Sequence, residues 1–204
     1  MKNKSIAIVL LFSFLTLAAC SDELARFSKL PEDATILAFG DSLTNGNGAL
    51  PSQSYPSRLQ QLSQINVINA GISGEISANG LKRLPGLLKQ HRPQLVIICH
   101  GGNDILRRLN LQQTKANITQ MIELAKSYRA QVLLLAVPTP SLLVTPAKIY
   151  AEIAESTQTG IDHDTLSLVL KNNRLKSDTY HPNAAGYRLI AERLFQRLSE
   201  QGAI

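Results

Sequence analysis

Short apolar runs alternate with longer amphipathic segments along this chain. Runs in which apolar residues occupy successive positions predict strands at 34–39, 65–69, 95–99 and 132–137, and a weaker fifth strand is predicted at 158–161. Strands that are apolar at successive positions are typically covered on both faces, as in a parallel sheet. The pattern therefore predicts a buried sheet of parallel strands.

Helical periodicity fills the intervals between these runs, at 55–62, 76–90, 111–128 and 147–155. A last helix is the clearest, because apolar residues from Tyr187 to Leu198 fall on one stripe, with Pro182 suited to its first turn and Gly202 to its end. Alternating strands and helices predict an α/β sandwich with right-handed crossovers. In such folds, reactive groups are expected beyond the carboxyl ends of the strands.

Composition fits one folded domain. The chain has 204 residues, of which 44% are apolar and 18% charged, so it can bury a core and is not typical of disordered chains. The formal charge is +6, but the basic residues are scattered and no basic face carries interleaved aromatics. We therefore expect no nucleic-acid partner.

The amino terminus has the features of a secretory signal. Lys2 and Lys4 precede an uncharged apolar run at 6–17, and the sequence LAAC at 17–20 resembles a bacterial lipobox. We expect a lipoprotein-type signal peptide at 1–19, a lipidated Cys20 and a tether at 20–33, followed by the folded domain at 34–204. Each acyl methylene buried in a bilayer contributes about 0.8 kcal/mol, so several chains would anchor the domain. The expected location is the bacterial cell envelope; the resemblance implies the outer membrane facing the periplasm, because Ser21 follows the cysteine.

An ordinary signal peptide remains the alternative for this segment. Cleavage near Ala19 would leave a soluble periplasmic protein in which Cys20 is incidental.

A serine motif follows the first apolar run, as Gly40-Asp41-Ser42-Leu43. Gly40 allows a sharp turn that exposes the next side chains. A serine placed there can attack a carbonyl carbon if a base removes its proton. A lone serine between a strand and a helix is, however, more often a helix N-cap.

Two glycine-rich motifs follow the second and third runs. They are Asn69-Ala70-Gly71-Ile72-Ser73-Gly74-Glu75 and Gly101-Gly102-Asn103-Asp104. Glycines leave backbone N–H groups accessible, and these groups and the Asn103 amide can stabilise an oxyanion. Plain strand-to-helix turns would also account for both motifs, with Asp104 as a cap or brace.

A fourth motif, Asp178-Thr179-Tyr180-His181-Pro182-Asn183, precedes the last helix. Asp178 and His181 are three residues apart, close enough for the carboxylate to orient an imidazole that acts as a general base. The four motifs together supply the nucleophile, base, orienting acid and oxyanion donors that acyl transfer requires. The order Ser, Asp, His with an early serine, and the lack of a GxSxG elbow, differ from α/β-hydrolases.

These motifs resemble those of the SGNH (GDSL) hydrolase family, in the branch of periplasmic thioesterases, lysophospholipases and arylesterases. The matching stretches are FGDSLTNG at 39–46, NAGISGE at 69–75, GGND at 101–104, DTYHPNAAGY at 178–187 and GLKRLPGLLKQHRPQLVI at 80–97. The resemblance implies a three-layer α/β/α sandwich of the flavodoxin-like type with a five-stranded parallel sheet.

The resemblance also implies roles for particular residues. Ser42 is expected to be the nucleophile, His181 its base and Asp178 the residue that orients the base. The oxyanion hole is expected to consist of the Ser42 N–H, the Gly74 N–H and the Asn103 amide.

The activity implied is that of a serine esterase acting through an acyl-enzyme on aryl esters, acyl thioesters or lysophospholipids, with no metal or cofactor. The alternatives are a carbohydrate O-acetyl esterase of the cell envelope, or a noncatalytic lipoprotein that binds acyl or glycan ligands.

The chain departs from the family pattern at two places. Cys99-His100 replaces the Glu-Leu pair that thioesterase-like members often carry; we interpret Cys99 as a buried core thiol and His100 as a strand-end or loop residue. The sequence of the segment 138–146, which serves as a substrate loop in the family, does not match the family pattern. An apolar groove and ordinary packing are equally good interpretations of Leu106, Leu109, Leu142, Leu143 and Val144.

Overall fold

The computed structural model of the protein describes residues 26–139 and 144–204. The predicted signal peptide, Cys20, Leu142 and Leu143 lie outside these ranges. Across the described part of the chain, no helix combines the length and apolar character needed to cross a membrane.

A parallel sheet forms the centre of the described domain. Its strands are β1 (Thr35–Gly40), β2 (Asn66–Gly71), β3 (Leu95–Cys99), β4 (Gln131–Leu135) and β5 (Gly160–Asp162). They lie in the order β2-β1-β3-β4-β5, and every neighbouring pair is parallel. This order is the flavodoxin-like one, so the predicted sheet is confirmed.

Helices cover both faces of the sheet. They are α1 (Ser42–Asn45), α2 (Tyr55–Ser63), α3 (Ser77–His91), α4 (Gly102–Leu106), α5 (Leu111–Ser127), α6 (Lys148–Thr157), α7 (Thr165–Lys171) and α8 (Ala184–Glu200), with 3-10 turns at Pro51–Gln53 and Asn173–Leu175. Helices α2, α7 and α8 pack together as one layer, and α3, α5 and α6 pack together as another. The three-layer α/β/α sandwich is therefore confirmed.

Helix α8 differs from the prediction at its start. Pro182 lies before the helix rather than in its first turn, and Asn183 is the N-cap, with its side-chain oxygen accepting from the N–H groups of Ala185 and Gly186. The apolar stripe itself is buried as predicted. Its fully buried members are Tyr187, Ile190, Ala191, Leu194 and Leu198.

The folded unit extends to the amino-terminal side of residue 34. The backbone N–H of Phe27 donates to Gln201 O at 3.0 Å, and that of Leu30 donates to Ala203 O at 2.8 Å. Leu30 is also buried. Part of the segment predicted as a tether thus packs on the end of α8. Phe27 and Leu30 are two apolar residues among polar ones, and this pattern is too weak to predict the contact.

Gly40 is required by close packing at the end of β1 rather than by a sharp turn. A Cβ atom there would lie 2.2 Å from the Cys99 carbonyl oxygen and 2.4 Å from Thr44 Oγ1. The adjacent strand therefore leaves no room for a side chain immediately before Ser42.

Gly40→Ala should lower the free energy of unfolding by about 1–3 kcal/mol, the usual cost of over-packing. Gly86→Ala is the matched control, because no atom lies within 4 Å of a Cβ at this position in α3. It should raise stability by about 0.5–1 kcal/mol, since alanine favours the helix. Urea unfolding of both variants checks this; equal effects would contradict the packing argument.

Candidate active site

All four sequence motifs contribute residues to one cavity, which lies beyond the carboxyl ends of the strands. The cavity has a volume of about 740 Å³, and its lining includes Ser42, Gly74, Asn103 and His181. The parallel sheet accounts for this meeting, since it brings the carboxyl ends of β1, β2 and β3 to one edge.

Ser42 is the first residue of α1, and Asp41 rather than Ser42 caps this helix. Asp41 Oδ1 accepts a hydrogen bond from the Leu43 N–H at 3.1 Å. The alternative interpretation of Ser42 as an N-cap is therefore not what the structure shows. Its hydroxyl is left for another partner.

That partner is His181, 139 residues further along the chain. Its Nε2 lies 3.0 Å from Ser42 Oγ, and its Nδ1 lies 2.8 Å from Asp178 Oδ2. Because an ionised carboxylate can only accept, Nδ1 carries the proton and Nε2 is free to accept one from the serine. Asp178 is itself held by the N–H groups of Tyr180 and His181, at 2.7 and 2.9 Å.

The charge of Asp178 is secured by these bonds. Burial raises the pKa of this carboxyl, but the hydrogen bonds from the His181 ring and from the two backbone N–H groups outweigh it and lower the pKa below its usual range. Asp178 is therefore ionised near neutral pH and can orient the imidazole.

Two residues that line the cavity, Ser42 and Gly74, have backbone N–H groups available to a ligand. Neither the Ser42 N–H nor the Gly74 N–H has an acceptor among the residues that the structure describes. Gly74 has a φ of +76°, in the left-handed region, and its carbonyl accepts from Arg107 Nη2 at 2.8 Å. The Arg107 bond fixes the peptide that follows Gly74, and the left-handed φ sets how the preceding peptide, which carries the N–H, is turned relative to it; an N–H held in this way can stabilise negative charge.

Asn103 is held by two acceptors. Its Nδ2 donates to the Glu75 carbonyl at 3.1 Å and to Asp41 Oδ2 at 3.3 Å. An oxyanion can compete with the longer of these bonds, which ends on a buried carboxyl whose pKa is raised by burial. The amide is thus held beside the serine with one weak bond that a ligand could replace.

Asp104 of α4 connects the first turns of α3 and α5 rather than capping its own helix. Its carboxylate accepts from the Ser77 N–H at 2.8 Å, from Ser77 Oγ at 2.6 Å and from Thr114 Oγ1 at 3.2 Å. The Ser77 N–H is one of the donors at the start of α3 that lack a partner within the helix, so Asp104 satisfies that helix end from α4.

A cluster of charged and titratable side chains, formed by Glu75, Arg83 and His100, lies next to the Gly74 loop. Glu75 is paired with Arg83 of α3, with Oε2 2.7 Å from Nη2, and with His100, whose Nε2 lies 3.1 Å from the same oxygen. His100 is fully buried and does not line the cavity. It follows β3, as predicted, but it belongs to a charge cluster that the sequence did not reveal.

The cavity has apolar and cationic portions. Leu106, Val137 and Val144 contribute apolar surface, whereas Lys171 and Lys176 contribute two ammonium-bearing side chains. Of the groove residues predicted in the described ranges, Leu106 and Val144 line the cavity, and Leu109 does not.

Sequence reasoning missed several residues that the site depends on. Arg83 lies beside the buried face of α3 formed by Gly80 and Leu84. A charged residue next to a buried face is a sequence signal that could have predicted a buried ion pair. The sequence motif that contains Glu75 gives no sign of its pairing with Arg83 and His100. The lysines lie on α7 and its following loop, in a segment without strong periodicity.

A serine, a histidine and a carboxylate joined in series by hydrogen bonds at the edge of a parallel sheet are the arrangement that serine hydrolases use. Comparison with known proteins makes the class more specific. The family model for the GDSL-like lipase/acylhydrolase family matches residues 38–189. The chain therefore belongs to the GDSL-like lipase/acylhydrolase family.

Its relatives and structural neighbours agree. The chain is 34% identical over 172 residues to thioesterase 1/protease 1/lysophospholipase L1 of Escherichia coli K12, covering 80% of this chain and 83% of that one. It is 34% identical over 174 residues to an arylesterase of Vibrio mimicus, covering 80% and 87%. The structure of esterase EstA from Pseudoalteromonas sp., inhibited by monoethylphosphonate, aligns with a TM-score of 0.75 at 27% identity, covering 82% of this chain and 98% of that one.

Proposed function

We propose that this ester hydrolase works through an acyl-enzyme on Ser42. The observation that carries the proposal is the chain of hydrogen bonds from Ser42 Oγ through the His181 ring to Asp178. Its direction, with Nδ1 protonated and Nε2 accepting, is the one a general base needs.

The proposed reaction has two steps. His181 Nε2 takes the hydroxyl proton as Ser42 Oγ attacks the ester or thioester carbonyl, and it then gives that proton to the departing alkoxide or thiolate. Water next attacks the acyl-enzyme, with His181 again taking a proton and returning it to Ser42 as the carboxylic acid leaves.

The oxyanion formed in each step is assigned to the Ser42 and Gly74 N–H groups and to Asn103 Nδ2. Loss of one such donor typically costs about 100- to 1000-fold in rate. The support is that both N–H groups lack described acceptors and that Asn103 holds one long bond.

Ser42→Ala should lower kcat/KM at least about 1000-fold, because it removes the nucleophile. The measurement is the hydrolysis of p-nitrophenyl esters from acetate to palmitate by residues 21–204. Ser127→Ala, an exposed serine whose hydroxyl bonds only its own helix, is the control and should behave like the parent.

Equal activity of Ser42→Ala and the parent protein would refute the role of Ser42. A sharp preference for acetate would favour the carbohydrate O-acetyl esterase. Inactivity of the parent protein on all esters, on lysophospholipid and on acyl-CoA would favour the noncatalytic binding protein.

We propose further that the substrate joins an apolar acyl chain to an anionic group, as acyl-CoA thioesters and anionic lysophospholipids do. Lys171 and Lys176 line the cavity, and neither forms an ion pair with a described carboxylate. A neutral acetylated sugar gives these two ammonium groups no charge to neutralise, whereas a phosphate does.

Lys171→Gln/Lys176→Gln should raise KM for butyryl-CoA roughly 3- to 10-fold, as expected for two partly exposed charge contacts. KM for S-butyryl-N-acetylcysteamine should not change, because this thioester lacks the phosphates. Lys29→Gln/Lys89→Gln removes the same charge away from the cavity and serves as control. Equal changes for both thioesters, or no loss of the effect in high salt, would contradict the proposal.

We propose that the protein is anchored to the bacterial outer membrane through lipidated Cys20. The support is the sequence alone: the charged start, the apolar run and LAAC at 17–20. Mass spectrometry of the mature amino terminus should show an acylated Cys20, and Cys20→Ser should leave the protein unacylated. An unmodified terminus in the parent protein would favour the soluble periplasmic alternative.

A further inference from the structure

We infer that His100 is a positioning residue that ties together the two loops carrying the oxyanion donors. One loop follows β2 and contains Gly74 and Glu75; the other follows β3 and leads into α4, whose second residue is Asn103. The inference rests on the proposed oxyanion hole, and it assigns a role to a residue outside the cavity lining.

The hydrogen bonds of His100 fix which nitrogen carries its proton. Nδ1 accepts from the Gly101 N–H at 3.2 Å, so the hydrogen of the neutral ring is on Nε2, which lies 3.1 Å from Glu75 Oε2. One nitrogen therefore bonds the loop after β3 and the other bonds the loop after β2. The imidazole bridges the two loops directly.

The ring of His100 is closely packed by two elements of the fold. His100 is fully buried and packs on Phe39 of β1, with ring centroids 5.5 Å apart. On the other side, a Cβ at Gly80 of α3 would lie 2.3 Å from Nε2. A ring confined in this way holds its two partners at a fixed separation.

Glu75 passes this restraint to the oxyanion donors. Its side chain is bound by His100 and by Arg83, and its own carbonyl accepts from Asn103 Nδ2 at 3.1 Å. The peptide N–H proposed as a donor belongs to Gly74, the preceding residue. A shift of Glu75 would therefore move both the Gly74 N–H and the acceptor that orients the Asn103 amide.

Arg83 fixes the other end of the cluster to the sheet. Its Nη2 donates to Ala70 O at 2.8 Å and to Gly40 O at 3.2 Å, and its guanidinium carbon lies 4.3 Å from the Phe39 ring centroid. Burial raises the pKa of Glu75, but the hydrogen bonds from His100 and Arg83 outweigh it and lower the pKa. The carboxylate is thus charged near neutral pH, and each of its partners is held by a strand or loop of the site.

Two polar substitutions separate the functions of the two ring nitrogens. His100→Gln places an amide donor near the position of Nε2 and can still bind Glu75. His100→Asn keeps an acceptor near Nδ1 for the Gly101 N–H but is too short to reach Glu75. If the bridge positions the donors, only the asparagine variant should lose catalysis.

The expected result is a roughly 10- to 100-fold fall in kcat for His100→Asn on p-nitrophenyl butyrate, with KM changed less than about 3-fold, because the donors act mainly in the transition state. The affinity for butylboronic acid, which forms a tetrahedral adduct with a serine, should fall by the same factor as kcat. His100→Gln should stay within about 3-fold of the parent in both measurements.

Thr157→Val is the control for stability alone. Thr157 is buried and bonds Ile153 O at the end of α6, at the opposite edge of the sheet. The Tm of the Thr157→Val variant should fall, while its kcat and its affinity for butylboronic acid stay at the values of the parent protein.

Three outcomes would overturn the inference: parent-like kcat in both His100 variants, equal impairment of both, or a loss of kcat in the asparagine variant without weaker boronate binding. If the parent protein is active and its activity depends on Ser42, any of these outcomes rejects only the role of His100 and leaves the proposed function intact. A parent enzyme whose activity does not depend on Ser42 rejects the proposed function instead.

Discussion

The common direction of the strands is the constraint on which the rest of the structure depends. Because every strand of the described sheet is parallel to its neighbours, the carboxyl ends of β1, β2 and β3 lie at one edge. The residues just past those ends, at 41–42, 72–75 and 100–104, are therefore neighbours in space although far apart in sequence. The loop before α8 adds His181 and Asp178 to the same edge, because α8 packs against α2, the second α-helix after β1.

Much of this arrangement could be predicted from the sequence. The apolar runs gave the strands to within a few residues, since strands buried on both faces need apolar side chains at successive positions. The four motifs gave the residues that meet at the cavity, because each follows a strand or precedes the last helix. Helices α1, α4 and α7 were not predicted, because segments of four to seven residues are too short to show helical periodicity.

The buried charges could not be predicted in the same way. His100 looks like a residue at a strand end, and only the fold shows that Gly80 of α3 makes room for its ring. The pairing of Glu75 with Arg83 and His100 depends on the approach of α3 to two loops. Likewise, the capping of α1 by Asp41 and the bracing of α3 by Asp104 depend on distances that a sequence pattern does not contain. In this ester hydrolase, tertiary contacts therefore decide how the motif residues are held.

The most direct test of the account is a crystal structure of the protein after reaction with an alkyl phosphonate, whose tetrahedral phosphorus imitates the reacting carbon. The account predicts phosphorus bonded to Ser42 Oγ, with one phosphoryl oxygen within about 3.1 Å of the Ser42 N, Gly74 N and Asn103 Nδ2 atoms. Phosphorus bonded to another residue, or a phosphoryl oxygen turned away from Gly74 and Asn103 toward solvent, would contradict it.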